Sequence, residues 1–135
     1  MKLVNKSFKV RIYPNKEQEK QLVQNIGCAR FVYNSCLESN EVDYGLKVQD
    51  NLEDLKVGNQ TYFNQHLNTL KKIHSWLKDA ESTSLQASYE RLIDSLKRFF
   101  KGQNQYPKYK SKHNPVQSIK IKANKSSNDK LTIRF

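Results

Sequence analysis

The chain has 135 residues, of which 24 are Lys or Arg and 13 are Asp or Glu, and its formal net charge is +11. Only 36% of the residues are hydrophobic, so the length allows one modest domain or two small lobes. This charge excess favours a polyanionic partner, nucleic acid before all others. No stretch is typical of a signal peptide, a transmembrane segment or a basic amphipathic lipid helix. We therefore expect a cytoplasmic protein with no membrane partner.

The charge is unevenly distributed along the chain. Residues 1–37 carry a net charge of +5, residues 38–81 carry −3, and residues 82–135 carry +9. If the two basic ends meet in space, they form one basic surface. Chance clustering on solvated faces is the alternative.

The N-terminal segment has a period of two. Residues 7–13 place apolar side chains on one face and Lys9, Arg11 and Tyr13 on the other, which predicts a strand that ends at Pro14.

A helix is predicted to follow. Asn15 and Gln18 occupy the positions of a capping box at its start. Gly27 interrupts the apolar pattern, so we predict two helices with a turn between them, similar to a helix-turn-helix unit. Residues 40–60 are polar and acidic and are interpreted as a loop, with a short helix over residues 49–55 as an option.

Two further helices are predicted before residue 103. Thr61 caps the first, and Trp76 near its end is expected in the core. Ser82 or Ser84 caps the second, which carries an apolar stripe that includes Leu92 and ends at Gly102.

In the last part of the chain, the residue pattern predicts strands at residues 117–122 and 131–135, joined by a polar turn. The order of strand, helices and strands predicts an α+β fold, in which about four helices interrupt a small β unit.

Residues with catalytic or metal-binding potential are scarce. Cys28 and Cys36 lie about 12 Å apart along a helix, too far for a disulfide, and are interpreted as small core residues. Neither the three histidines nor the acidic residues have metal-ligand spacing. We expect no catalytic residue, no metal and no cofactor in this chain.

A basic aromatic segment is the strongest binding candidate. Tyr106, Lys108, Tyr109, Lys110 and Lys112 alternate rings that can stack on bases with cations that can meet phosphates. The alternative is a kinked loop whose tyrosines fill the core.

Several motifs together resemble the OrfB/TnpB family of IS200/IS605-type insertion sequences. They are F-K-V-R-I-Y-P-N-K-E-Q (8–18), G-C-A-R-F-V-Y-N (27–34), W-L (76–77), L-Q (85–86), R-F-F-K-G (98–102) and Y-P-K-Y-K-S-K (106–112). Order and spacing also agree, so the resemblance covers essentially the whole chain.

This resemblance implies an RNA-guided DNA endonuclease related to type V CRISPR nucleases. Such proteins bind a structured guide RNA and target DNA beside a short adjacent motif. The resemblance also implies a β-barrel-like wedge that is interrupted by a helical recognition lobe. The first wedge strand would be 1–14, the lobe 15–102, and a basic linker with further wedge strands 103–135. Cleavage would belong to a RuvC-like, Mg-dependent part outside these residues. We expect that RuvC-like part to be a partner of this chain. The expected location is the cytoplasm of a bacterium or archaeon, associated with the nucleoid.

The resemblance also indicates residues that read the DNA motif. Tyr62 and Gln86 match the positions of such readers, and Ser82 falls where a relative has a lysine. Asn124 and Lys125 fall near a Thr-Asn pair of that relative. Lys120 and Lys122, in the strand predicted over residues 117–122, complete the nucleic-acid-binding set.

Two alternatives remain at this stage. One is a free-standing helix-turn-helix DNA-binding domain, and the other is an interaction protein whose charge is incidental. Phe31, Val32 and Tyr33 have the pattern of a core helix, which disfavours a groove reader at Gly27.

Overall fold

The computed structural model describes residues 7–51, 57–120, 124–125 and 131–132. Within them, the chain forms helices α1 (Lys16–Gln49), α2 (Gln60–Ile73) and α3 (Ser82–Phe100), with a 3-10 helix at Ser75–Asp79. Strands β1 (Asn124–Lys125) and β2 (Leu131–Thr132) form a short antiparallel pair. No helix in this part of the chain is long and apolar enough to cross a membrane.

The predicted α+β fold with a barrel-like β unit is wrong, because the described residues form a helical bundle with one two-residue ladder. Residues 7–14 carry no regular secondary structure, and Phe8 and Val10 are 83% and 77% exposed. A strand needs a neighbour that completes its backbone hydrogen bonds, and no described residue pairs with this segment. Residues 117–120 are also irregular, while 121–123 and 133–135 lie outside the described residues.

Helix α1 begins at the predicted capping box. The Asn15 side chain accepts from the Gln18 backbone N–H at 2.8 Å, and the Gln18 side chain accepts from the Asn15 N–H at 3.0 Å. Both bonds satisfy donors that the first helical turn leaves unpaired. This part of the prediction is confirmed.

The predicted turn at Gly27 and the loop over residues 40–49 are wrong, because α1 runs through both. Buried residues recur every three or four positions from Asn25 to Asn40, so one face of the helix packs continuously. Its acidic residues Glu41 and Asp43 lie on the helix instead of in a loop, and each accepts a hydrogen bond from a tyrosine hydroxyl. The stretch from 52 to 56 lies outside the described residues.

The caps of α2 and α3 lie one or more residues before those predicted. Asn59 caps α2 by accepting from the Tyr62 N–H at 2.7 Å, and Glu81 caps α3 by accepting from the Ser84 N–H at 2.8 Å. Helix α3 ends at Phe100, and Gly102 terminates it as predicted, with a φ of 74° that favours glycine.

The core lies where α1 packs against α2 and α3. Its fully buried apolar side chains include Val32, Leu37, Phe63, Leu67, Leu77, Leu85 and Leu92. Cys28 and Cys36 are buried free thiols as predicted, and burial raises the pKa of Cys36 to about 12. Leu92 is buried as predicted, but Trp76 is 43% exposed and its neighbour Leu77 fills the core instead.

Candidate nucleic-acid interface

The basic aromatic segment is fixed to the helices at specific points. The Tyr106 ring meets Phe99 edge-on at 5.1 Å, and the Tyr109 hydroxyl donates to Glu41 Oε2 at 2.9 Å. Tyr109 is 51% exposed, and neither tyrosine belongs to the buried core. The alternative in which these tyrosines fill the core is therefore wrong.

Asn34 on α1 holds the backbone of Lys110 in both directions. Its side-chain oxygen accepts from the Lys110 N–H at 2.7 Å, and its side-chain nitrogen donates to the Lys110 carbonyl at 2.9 Å. This pair of bonds gives an irregular segment the partners that a strand would otherwise supply. The position of Lys110 is thereby set by α1.

The lysines of this segment have different surroundings. Lys108 and Lys112 are exposed. The ammonium of Lys110 lies 4.6 Å from the centre of the Tyr33 ring, in a cation–π contact. Lys110 as a whole is exposed, but partial desolvation against the bundle, and after it the positive charge of Arg91, lowers its pKa.

A pocket lies between α1, α3 and residues 110–120, and we call it the basic pocket. Its cationic lining residues come from both basic ends of the sequence: Arg30, Arg91, Lys110 and Lys120. No Asp or Glu is among the described residues that line it. Cations from the two basic ends of the sequence therefore meet at this pocket.

Sequence reasoning did not select Arg30 or Arg91. Arg30 lies inside one of the family motifs, so that motif could have identified it. Arg91 lies between the apolar positions of α3, and only the packing of residues 110–120 shows which way it faces. Each arginine makes one long hydrogen bond, from Arg30 Nη1 to Gln117 Oε1 and from Arg91 Nη1 to Ser118 Oγ, both at 3.4 Å.

The candidates at the N-terminus are exposed and irregular. Lys9, Arg11 and Tyr13 have no strand partner among the described residues, and the Arg11 guanidinium carbon lies 5.5 Å from the centre of the Tyr13 ring. At the other end, Lys122 lies outside the described residues. The backbone of Asn124 and Lys125 forms β1.

Tyr62 faces a different side of α1 from the basic aromatic segment. Its hydroxyl donates to the Asp43 carboxylate and lies 2.6 Å from Ser39 Oγ. Burial and the Asp43 hydrogen bond raise its pKa to about 12. Tyr109 reaches α1 at Glu41, and helix residues two apart do not share a face. The structure therefore does not bring Tyr62 together with the lysines of the segment.

Ser82 and Gln86 lie one turn apart on α3, Ser82 exposed and Gln86 half-buried. The Gln86 amide has no hydrogen-bond partner among the described residues, so it is available to a ligand. In the same part of the chain, no three His, Cys, Asp or Glu side chains are grouped to hold a metal ion.

Comparison with known proteins gives two matches. A family model described as a helix-turn-helix domain, that of IS605-type OrfB proteins, matches residues 1–46. The chain is also 32% identical over 115 residues to a protein of Streptomyces pristinaespiralis, whose name describes a proposed RNA-guided DNA endonuclease. That alignment covers 83% of this chain and 27% of the relative, so the chain spans about a quarter of the relative's length.

Proposed function

Because this chain belongs to the OrfB/TnpB family of IS605-type insertion-sequence proteins, we propose that it is a nucleic-acid-binding recognition region. In a complete family member it would contact guide RNA and target DNA beside a short motif. Residues 15–102 would form the recognition lobe, and the following basic segment would hold the backbone. Cleavage would belong to a RuvC-like, Mg-dependent part that is separate from this chain.

The basic pocket is the observation that carries this proposal. Its four cations come from two helices and one irregular segment, and no described carboxylate neutralises them there. Like charges held this close destabilise the folded chain, and a polyanion relieves the repulsion. Nucleic acid also gains from the counterions that each neutralised phosphate releases.

A groove-reading helix that starts at Gly27 is less well supported. The helix is continuous there, and Val32, Tyr33 and Cys36 are buried against the rest of the bundle. A recognition helix must present polar side chains to base edges, and this stretch presents its apolar side to the core.

Binding to labelled duplex DNA and single-stranded RNA, measured by fluorescence anisotropy, tests the proposal. Log affinity should fall steeply with log salt, with a slope of about −0.7 to −0.9 for each phosphate contacted. A peptide nucleic acid of the same base sequence lacks phosphates and should bind weakly at every salt concentration. A flat salt dependence for DNA and RNA alike would contradict the proposal.

A further inference from the structure

We propose that the basic pocket is a phosphate subsite, in which one backbone phosphodiester of the bound nucleic acid lies between Arg30, Arg91 and Lys110. This inference rests on the proposed function, because it assigns the point at which that partner is held. It names two arginines, Arg30 and Arg91, that are not among the nucleic-acid-binding residues predicted from the sequence.

The pocket has the size and the donors that a phosphate group needs. Its volume is about 60 Å³, which is room for roughly four to six water-sized groups. A guanidinium offers five N–H donors in a planar fork that matches phosphate oxygens in pairs. The hydroxyls of Ser111 and Ser118 line the same pocket and can donate as well.

The donors of both arginines are only weakly engaged. Their bonds to Gln117 and Ser118 are 3.4 Å long, beyond the usual range for an N–H···O bond, and both acceptors are neutral. A charged phosphate oxygen accepts bonds about twice as strong, so it would displace these contacts.

The third cation is held in place before any ligand arrives. Asn34 fixes the Lys110 backbone, and Tyr33 fixes its ammonium. Arg91 and Lys110 line the same pocket, and like charges this close are unfavourable unless an anion lies between them. Arg30, Arg91 and Lys110 come from three separate elements, so folding itself assembles the subsite.

Substitution of one arginine tests the subsite. Arg91→Gln should weaken binding of nucleic acid about tenfold and reduce the magnitude of the log–log salt slope by about 0.7 to 0.9. Arg98→Gln is the matched control, because it removes the same charge from the same helix at an exposed residue outside the pocket lining. That control should leave the slope unchanged. Lys110→Gln, at an exposed residue, provides a second variant if Arg91→Gln fails to fold.

Parallel measurements with duplex DNA and with RNA identify the source of the phosphate. If the pocket variants weaken binding of only DNA or only RNA, the subsite holds that nucleic acid. If they weaken binding of both, the subsite holds the backbone that the two share. Equal slopes for Arg91→Gln, Lys110→Gln and Arg98→Gln in both arms would overturn the subsite, while wild-type binding would leave the proposed function standing.

Titration with inorganic phosphate further distinguishes failure of the subsite from failure of the proposed function. In nitrogen NMR spectra of the whole chain, the Nε–H signals of Arg30 and Arg91 should shift saturably with phosphate, while that of Arg98 should not. Equal shifts at all three would mean that the pocket has no phosphate subsite. If the wild-type chain binds neither DNA nor RNA, the proposed function fails instead.

Discussion

His66 on α2 is a half-buried histidine with a polar partner. Its Nε2 lies 3.0 Å from Ser35 Oγ on α1. Burial lowers its pKa from the ordinary value of 6.5, because the imidazolium loses hydration at the contact between the two helices. Folding therefore opposes protonation at this position.

The lowered pKa predicts how stability depends on pH. Below 6.5 the unfolded chain binds a proton that folded His66 does not, so the free energy of unfolding should fall as the pH falls. Above pH 6.5 the contribution of neutral His66 to the free energy of unfolding is fully present. His66→Gln can keep a hydrogen bond to Ser35 and should flatten the dependence between about pH 5 and 7 in urea unfolding. His113→Gln, at an exposed residue, should leave the wild-type dependence intact; an unchanged slope in His66→Gln would contradict the prediction.

The contrast between Trp76 and Leu77 is also decided residue by residue. Both are large and apolar and lie in the 3-10 helix, yet Leu77 is fully buried and Trp76 is 43% exposed. Adjacent residues in a helical turn point in different directions, so only one of them can enter the core. Trp76 instead lies against Phe31, with ring centres 5.0 Å apart.

At the scale of elements, α1 organises the molecule. Near its start, Asn25 reaches the loop before α3 and accepts from the Glu81 N–H at 2.7 Å. Further along, Asn34 and Glu41 hold the basic aromatic segment. Because these residues share one rigid element, the start of α3 and the basic segment are placed relative to each other by a single helix.

Because α1 is continuous at Gly27, the direction in which a substitution there changes the free energy of unfolding can be predicted. A methyl group at Gly27 would meet only Arg30 Nη2, at 3.8 Å. Gly27→Ala should therefore raise the free energy of unfolding by about 0.5–1 kcal/mol, since alanine loses less backbone entropy in a helix.

Gly102→Ala provides the opposite comparison in the same urea experiment. The φ of Gly102 is +74°, so alanine should lower stability by about 1–2 kcal/mol. Destabilisation by Gly27→Ala would instead indicate a left-handed turn at Gly27, as a helix-turn-helix there requires.

Across the whole molecule, contacts that position nucleic acid and contacts that specify its sequence are proposed for different places. The lysines of the basic aromatic segment lie beside α1. Arg91 of the basic pocket lies on α3, as Ser82 and Gln86 do, but neither Ser82 nor Gln86 lines that pocket. Phosphate contacts set affinity and register, whereas base contacts carry sequence preference. A glutamine can bond adenine in the major groove through two hydrogen bonds, worth about 1–3 kcal/mol of discrimination.

This separation predicts two kinds of variant. Lys108→Ala should weaken binding to all duplexes equally and reduce the salt slope by about 0.9. Gln86→Ala should relax the preference for one short motif with little effect on average affinity, measured by competition among duplexes of randomised sequence. Gln24→Ala, an exposed glutamine on α1, is the matched control. If Gln86→Ala keeps the wild-type motif preference, Gln86 is not a reader.

Signals confined to a few neighbouring residues were sufficient to predict several features from the sequence. The capping box of Asn15 and Gln18 and the end of α3 at Gly102 each depend on bonds that span three to five residues. The helical spacing of Leu92 and its neighbours predicted a buried stripe for the same reason. The family motifs, read together, indicated the parentage of the chain.

Tertiary contacts decided what those local signals left open. Residues 7–13 alternate like a strand, but a strand exists only where another segment completes its hydrogen bonds. Residues 40–49 continue α1 although Val42, Leu46 and Val48 are exposed, so no buried stripe marks this part of the helix in the sequence. Arg30, Arg91 and Lys110 are far apart in the sequence and converge only when α1, α3 and the basic segment pack together. Local hydrogen bonds are determined by residues that are close in the sequence, whereas this pocket depends on which distant surfaces the core brings into contact.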